Sequence, residues 1–295
     1  MEISNRLKLF EEYIMNKYNS KNTASSYCGA VGVFLKHFSD RIDHNHINSD
    51  EIIRYLLSIP NLHSRRNAHS AIKLFYKHKS KNGFSNKFRY IPYPEKPQTL
   101  PTPITKEEFV AIIQATENLK HKCILMLGFD CGFRVSEVCN LKPEHIDFHK
   151  MQIRVIQSKG RKDRVLKMSS ILASFLNQYF QEYGTHKYVF KGQFDDRYSE
   201  RSCEQILKNS ATKAGITRRV TFHQNRHGFA VSHLDNNTEL ERLKEMLGHK
   251  SIETTRIYAP LSNKEIQKDQ SPLEQILSQF PKALQNNTNF ITQNK

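Results

Sequence analysis

The stretch FRYIPYPEKPQTLPTPIT, Phe88 to Thr105, carries five prolines between Pro92 and Pro103. Each proline removes a backbone donor and restricts its own φ, so the chain here runs extended and builds neither a helix interior nor a sheet ladder. A linker at this place divides the 295 residues into two domains of ordinary size. The expected layout is a helical domain over 1–90, a proline-rich linker over 91–104, a second domain over 105–265, and a helix with a polar tail over 266–295.

On the N-terminal side of the linker, apolar residues recur at helical spacing. Leu7, Phe10, Ile14 and Tyr18 form one stripe, and Tyr27, Val31, Phe34, Leu35 and Phe38 a second. SDEIIRYLLSI offers Ser49 or Asp50 as a cap before Ile52, Ile53, Leu56 and Leu57. SRRNAHSAIKLFYKHKSKNG sets Ala68, Ile72, Phe75 and Tyr76 on one side and Arg65, Arg66, Lys73, Lys77 and Lys79 on the other, with Gly83 as its stop. The first domain reads as a small helical bundle with one strongly basic helix.

On the C-terminal side the linker ends in a capping box, Thr105 with Glu108 three residues on, ahead of Phe109, Ile112 and Ile113. Helical patterns follow through RVSEVCNLKPEHID. MQIRVIQ then alternates, with Ile153 and Val155 on one face and Gln152 and Arg154 on the other. SKGRKDR and VLKM complete what reads as a β-hairpin around a basic, glycine-containing turn. The remainder is helical up to the tail, where Ser271 and Pro272 start a short helix striped by Leu273, Ile276, Leu277 and Phe280.

Composition narrows the partners. The net charge is +16, and the sequence pI is about 9.6. A cationic surplus of this size favours a polyanion, because Lys and Arg release counterions when they bind phosphates. The hydrophobic share of 38% supports a real core, while a mean hydropathy of −0.64 marks a polar surface. The five cysteines, Cys28, Cys123, Cys131, Cys139 and Cys203, are scattered, odd in number and free of any CxxC pair. That pattern argues against a zinc ribbon and suits a reducing compartment. The charged N-terminus lacks the apolar core of a signal peptide, and no apolar run reaches membrane-spanning length. A cytoplasmic protein without a membrane partner is expected.

Four separated pieces of the second domain hold chemistry-bearing residues. CGFRVSEVCNL contains Arg134 and, three residues later, Glu137. QSKGRKDR contains Lys159. TFHQNRHGFA holds His223 and Arg226 on one helical face. LGHKSIETTRIYAP places His249 nine residues before Tyr258. Singly, each has a plain reading: a surface ion pair, a solvated basic loop, a same-face pair, a buried tyrosine. Together and in this order they resemble the tyrosine recombinases, the phage integrases and Xer-type recombinases. The resemblance covers 105 to about 260 with specific motifs. It extends more loosely to the bundle, where NTASSY and SRRNAHSAIKLFYKH are similar to helices of the family's core-binding domain. Three positions depart from the family's usual wording: Phe222 stands for Pro, Asn225 for Leu, and Gly228 for Ser or Thr. The change at Asn225 reads as altered packing behind the site.

The resemblance implies a mainly α fold with a small β-sheet: a SAM-like helical core-binding domain, then an α+β catalytic domain. It implies cleavage of double-stranded DNA through a covalent 3'-phosphotyrosine, with strand exchange through a Holliday junction. Tyr258 would be the nucleophile and His223 its general base, since a phenol with an ordinary pKa of about 10 needs help at neutral pH. Arg134 and Arg226 would clamp the non-bridging phosphate oxygens with planar forks of donors, and His249 would add a hydrogen bond. Lys159 would protonate the 5'-oxygen, with Lys162 as the rival lysine and a backbone phosphate contact as its expected role. Glu137 orients these side chains or forms a plain helix ion pair. The expected DNA contacts are Arg65, Arg66, Lys73, Lys162 and Arg164.

No metal, ATP or other cofactor is implied, because the arginines carry the charge and the phosphotyrosine conserves bond energy. The partners implied are DNA and three further subunits, as a homotetramer or a heterotetramer with a related recombinase. The helix at 271–280 would dock on a neighbouring protomer, although a groove on its own domain would also cover the stripe. The chain opens directly on the bundle, with no arm-binding domain ahead of it, which points to simple Xer-like sites. Type IB-like topoisomerase activity and a non-catalytic DNA-binding regulator of the same fold are the alternatives. The regulator would have lost a catalytic residue, and all six types are present.

Overall fold

A computed structural model of the chain describes residues 3–39, 47–79, 88, 90–95, 97, 99–156 and 163–262. It divides into two compact units, 1–98 and 99–295. No helix among the described residues is long and apolar enough to cross a membrane.

The first unit contains α1 (Ile3–Tyr18), α2 (Lys21–His37), α3 (Ser49–Leu57) and α4 (Leu62–Lys79). Their stripes meet in one core, rich in aromatic rings. Phe10 meets Phe75 edge-on at 5.3 Å, and Phe34 meets Tyr55 at 5.2 Å. Tyr18, at the end of the first stripe, lies 42% exposed outside this core. The cap of α3 is Asn48 rather than Ser49 or Asp50. Asn48 has Glu51 three residues on, so the two form a reciprocal box: Glu51 N donates to Asn48 Oδ1 at 2.9 Å, and Asn48 N to Glu51 Oε2 at 2.9 Å. Neither Ser49 nor Asp50 has such a partner at that spacing. The start of the proline-rich stretch belongs to this unit. Ile91 is buried in its core, and Arg66 stacks over the Tyr93 ring at 4.3 Å while donating to the Pro94 carbonyl.

The second unit opens on the expected capping box, with Thr105 N donating to Glu108 Oε2 at 3.0 Å and Glu108 N to Thr105 Oγ1 at 3.2 Å. Its helices are α5 (Lys106–Gln114), α6 (Leu119–Asp130), α7 (Val135–Cys139), α8 (Ser170–Tyr183), α9 (Glu200–Lys213), α10 (Phe222–Asp235), α11 (Leu240–Leu247) and the one-turn α12 (Glu253–Arg256). The antiparallel sheet runs β1 (Ile146–Asp147), β2 (Gln152–Val155), β3 (Arg164–Lys167), with Gln152 opposite Lys167 and Val155 opposite Arg164. Ile153, Val155 and Leu166 face the core, as the alternation requires. Strand β1 is an addition to the expected hairpin; two residues are too few to show a period. The turn at 157–162, with Lys159 and Lys162, lies outside the described residues, as does the helix expected at 271–280.

Helix α6 is buried from Cys123 to Gly128, and α10 crosses it closely. Two glycines permit the approach. A Cβ on Gly128 would stand 2.5 Å from Asn225 Nδ2 and 2.9 Å from the Phe222 ring. A Cβ on Gly228 would stand 2.5 Å from the Ile104 carbonyl oxygen and 2.6 Å from the Phe129 ring. Asn225 is fully buried and donates from Nδ2 to the Leu125 carbonyl at 2.8 Å, tying the helices together. Phe222, Asn225 and Gly228, the three departures in wording, therefore all fall in one contact. They form one linked packing cluster on the side of α10 that faces α6.

Candidate functional site

Arg134 is placed by the turn between α6 and α7. Gly132 holds φ at +60°, a left-handed conformation that side chains resist, and the Phe229 ring would stand 2.5 Å from any Cβ there. The turn aims Arg134 into the N-cap of α7. Its backbone N–H donates to Glu137 Oε2 at 2.8 Å, and its Nη1 to Glu137 Oε1 at 2.9 Å. The ion pair expected from spacing is present, but Glu137 does more. Arg164, at the start of β3, donates from Nη1 and Nη2 to the two oxygens of the same carboxylate at 3.0 and 2.8 Å. Arg226 Nη1 lies 3.8 Å from it. Burial would raise the pKa of Glu137, but the bonds and charge of Arg164, then Arg226 and the Arg134 amide, outweigh it and hold the carboxyl at about 2.

Arg164 therefore differs from expectation. Its side chain is 6% exposed and engaged in a fork-to-fork pair, so it braces the site from within rather than reaching for DNA. Of the residues expected to contact DNA in the first unit, Lys73 is exposed. Arg65 donates from Nε and Nη2 to the Ile59 carbonyl at 3.0 and 2.8 Å, and Arg66 lies against Tyr93. Both help to secure their own unit.

Arg226 lies fully buried on α10. It donates from Nη1 to the Gly132 carbonyl at 2.6 Å and from Nη2 to the Leu247 carbonyl. Burial first, then the neighbouring Arg134, brings its guanidinium down to about 9, still protonated at neutral pH. His249 reaches it from the end of α11. There Gly248 adopts a left-handed φ of 62° and turns the chain, with His249 N donating to the Lys244 carbonyl at 3.0 Å. Arg226 Nη2 and His249 Nε2 are 3.2 Å apart. A guanidinium only donates, so Nε2 accepts, and the ring proton sits on Nδ1, donated to Thr255 Oγ1 at 3.0 Å. Donation from Nε2 to a phosphate needs the ring proton on that nitrogen, with Nδ1 then accepting from the Thr255 hydroxyl.

Tyr258 closes the site from just beyond α12, at the start of a short 3-10 turn. It is 1% exposed, and its ring packs with Phe229, Ala230, Leu234, Leu243 and Leu247. Its hydroxyl meets a histidine, but that histidine is His227: Oη and Nδ1 are 2.8 Å apart. His223, the expected base, stands one turn earlier at the exposed mouth of the site, its ring edge-on to His227 at 4.4 Å. Loss of solvent around it, then Arg226 and Arg134, holds its imidazole below the usual range. The same effects are stronger at buried His227, where burial, His223 and Arg226 lower the imidazole to about 4. Burial raises the Tyr258 phenol, against the pull of Arg226 and Arg134. The signal for His227 lies in TFHQNRHGFA, where it follows His223 by four residues on one helix face. Its partner, 31 positions away, leaves no local trace.

Three guanidiniums, of Arg134, Arg164 and Arg226, thus surround one carboxylate, and a tyrosine and three histidines complete the set. The excess positive charge suits an anionic group such as a phosphodiester.

The model of the phage integrase family matches residues 103–265. The chain is 30% identical over 293 residues to tyrosine recombinase XerC of Chlamydia trachomatis serovar L2, covering 86% of this chain and 93% of that one. It is 32% identical over 200 residues to tyrosine recombinase XerA of Pyrococcus horikoshii, covering 66% of this chain and 68% of the other. Among solved structures, it is similar to XerA recombinase at 28% identity and a TM-score of 0.54, over 94% of this chain and 98% of that one. It also shares its fold with XerH bound to a palindromic difH substrate in a post-cleavage complex, at 18% identity and a TM-score of 0.71, over 83% and 78% of the two chains.

Proposed function

Since the chain belongs to the phage integrase family, we propose that the cluster of Arg134, Arg226, His249 and Tyr258 cuts and rejoins DNA within a site-specific tyrosine recombinase. Attack by Tyr258 Oη on a phosphodiester forms a 3'-phosphotyrosine and releases a 5'-hydroxyl. The 5'-hydroxyl of another strand reverses the step, and two rounds pass through a Holliday junction. Bond energy is kept in the phosphotyrosine, so ATP is not consumed.

Arg134 and Arg226 act on the non-bridging oxygens, where charge develops during attack. Both are held before the substrate arrives, Arg134 by Glu137 and Arg226 by the Gly132 and Leu247 carbonyls. Donors fixed in advance need no reorganisation at the moment of reaction. This charge work is done by guanidinium groups, so the step runs without a metal ion. Lys159 serves as acid for the leaving 5'-oxygen. His223, at the mouth and kept largely neutral, serves as base for the phenol. Double-stranded DNA is the substrate, bound by an assembly of copies of the chain in the cytoplasm.

The observation that carries this reading is the convergence of Tyr258 on the helix that bears Arg226: its hydroxyl stands 2.8 Å from His227, the residue after Arg226, while Arg134 and His249 reach the same cluster through Glu137 and Arg226. The test is a nicked suicide duplex containing DNA recovered from complexes with the protein. Wild type should form a covalent protein–DNA adduct in the presence of EDTA, and Tyr258→Phe should form none. An adduct that survives Tyr258→Phe overturns the assignment, and a strict metal requirement overturns the mechanism.

A further inference from the structure

His227 touches the tyrosine yet has no part in the chemistry described above. Its ring is 9% exposed and faces inward, between His223 and the cluster around Tyr258. The Tyr258 hydroxyl is bonded to this interior nitrogen. In-line attack requires the same hydroxyl to stand at a phosphorus atom outside the packed interior. A phenol that is 1% exposed and bound to a buried imidazole is withdrawn from that position.

The bond is a holding contact and not a proton transfer in progress. Burial, His223 and Arg226 keep His227 neutral, while burial makes the phenol harder to ionise. The phenol therefore keeps its proton and the imidazole stays neutral, so the contact is a hydrogen bond between two neutral groups. The segment carrying the tyrosine is also built for release. It consists of the one-turn α12 and a short 3-10 turn at Ala259–Leu261, and its backbone bonds, from Thr254 N to the Ser251 carbonyl through Ser262 N to the Ala259 carbonyl, close within the segment, so it can move as a unit. Buried Tyr179 makes a useful contrast. It sits in the fourteen-residue α8 and donates to the Val189 backbone carbonyl at 3.0 Å. Tyr258 has instead a side-chain partner on the helix that also bears Arg226.

We infer that His227 is a positioning residue that holds the Tyr258 hydroxyl in a withdrawn place while DNA is absent. Entry of a phosphate between Arg134, Arg226 and His223 would displace the tyrosine segment from this hold and bring the nucleophile out. The inference rests on Tyr258 being the nucleophile, and it assigns to the second histidine of the H-x-x-R-H sequence a role separate from that of the first.

The test uses full-length protein without DNA. Tyrosines are nitrated with tetranitromethane at one fixed pH, and Tyr258 and Tyr179 are followed by peptide mass spectrometry. His227→Phe keeps a ring but removes the hydrogen-bonding nitrogen; His227→Asn returns a polar group close to the position of Nδ1. In His227→Phe, Tyr258 should react about tenfold faster than in wild type, the scale of one lost buried hydrogen bond. Tyr179 should be unchanged, and His227→Asn should restore most of the protection. An unchanged Tyr258 rate overturns the inference. So does a parallel rise at Tyr179, which would report general loosening, or a failure of His227→Asn to restore protection. Adduct formation on the suicide duplex separates the two ideas. If Tyr258 carries the adduct but nitration ignores His227, the hold alone is wrong; if the adduct survives Tyr258→Phe, the nucleophile is wrong.

Discussion

Replacing Glu137 with Gln removes the one anion among three guanidiniums while leaving the shape of the side chain intact. The carboxylate accepts from Arg134 N, Arg134 Nη1, Arg164 Nη1 and Arg164 Nη2, and its side chain is 9% exposed. Folding lowers its pKa from the ordinary 4.5 to about 2. That difference corresponds to about 3 kcal/mol of stability at neutral pH. A glutamine amide would also point donors at donors, and Arg164 and Arg226 would be left buried without an opposing charge. Loss of one partner of a buried pair costs about 3–5 kcal/mol, in agreement. For a domain of this size the melting temperature should fall by about 6–12 °C. The chain has no tryptophan, so helix circular dichroism is the suitable probe. The pH dependence sharpens the test. The folded-state pKa is depressed, so the stabilisation is complete above the unfolded value of 4.5 and is lost as pH falls towards 2. By about pH 3, about 2 of those 3 kcal/mol should be gone, and the gap between wild type and Glu137→Gln should narrow accordingly. A gap that stays constant from neutral pH to about pH 3, or that never exceeds about 1 kcal/mol, would refute the reasoning.

Two further outcomes follow from the same geometry. Gly228→Ser restores one of the family's usual residues but forces its Cβ to 2.5 Å from the Ile104 carbonyl oxygen and 2.6 Å from the Phe129 ring. Thermal unfolding should show a loss of about 1–3 kcal/mol. Arg226→Lys keeps the charge but cannot span both the Gly132 and Leu247 carbonyls, so single-turnover cleavage should fall by about 100-fold or more. The salt dependence of DNA binding should change by about one phosphate contact at most.

How much could be read in advance depended on sequence distance. The Thr105–Glu108 box and the inward-facing Ile153 and Val155 rest on spacings of a few residues, and both took the expected form. Asn48 displaced Ser49 and Asp50 as a cap because the reciprocal glutamate settles the choice among three polar neighbours. The Arg134–Glu137 ion pair was legible from spacing; in the structure Glu137 also pairs with Arg164 and lies 3.8 Å from Arg226. What joins these groups is not local. Arg164 lies in a run of basic residues that reads as surface, and only the register of β3 against β2 turns it inward to a carboxylate 27 positions earlier. His227 was hidden in the same way. Its helical face was legible; the hydroxyl it would meet was not.

The contact between α6 and α10 also constrains how this chain can change. Gly128 leaves room for Asn225 and Phe222, while Gly228 leaves room for Phe129, which itself stacks flat on Phe109 at 4.0 Å. None of these residues is interchangeable on its own. A return to serine at Gly228 meets Phe129 before it meets solvent, and a side chain at Gly128 meets the amide of Asn225. Because these contacts are shared, the effect of a substitution at one of these positions is expected to depend on what occupies the others. Ancestral or consensus residues grafted one at a time into α10 should each look harmful, yet be tolerated once the opposing positions on α6 have changed with them.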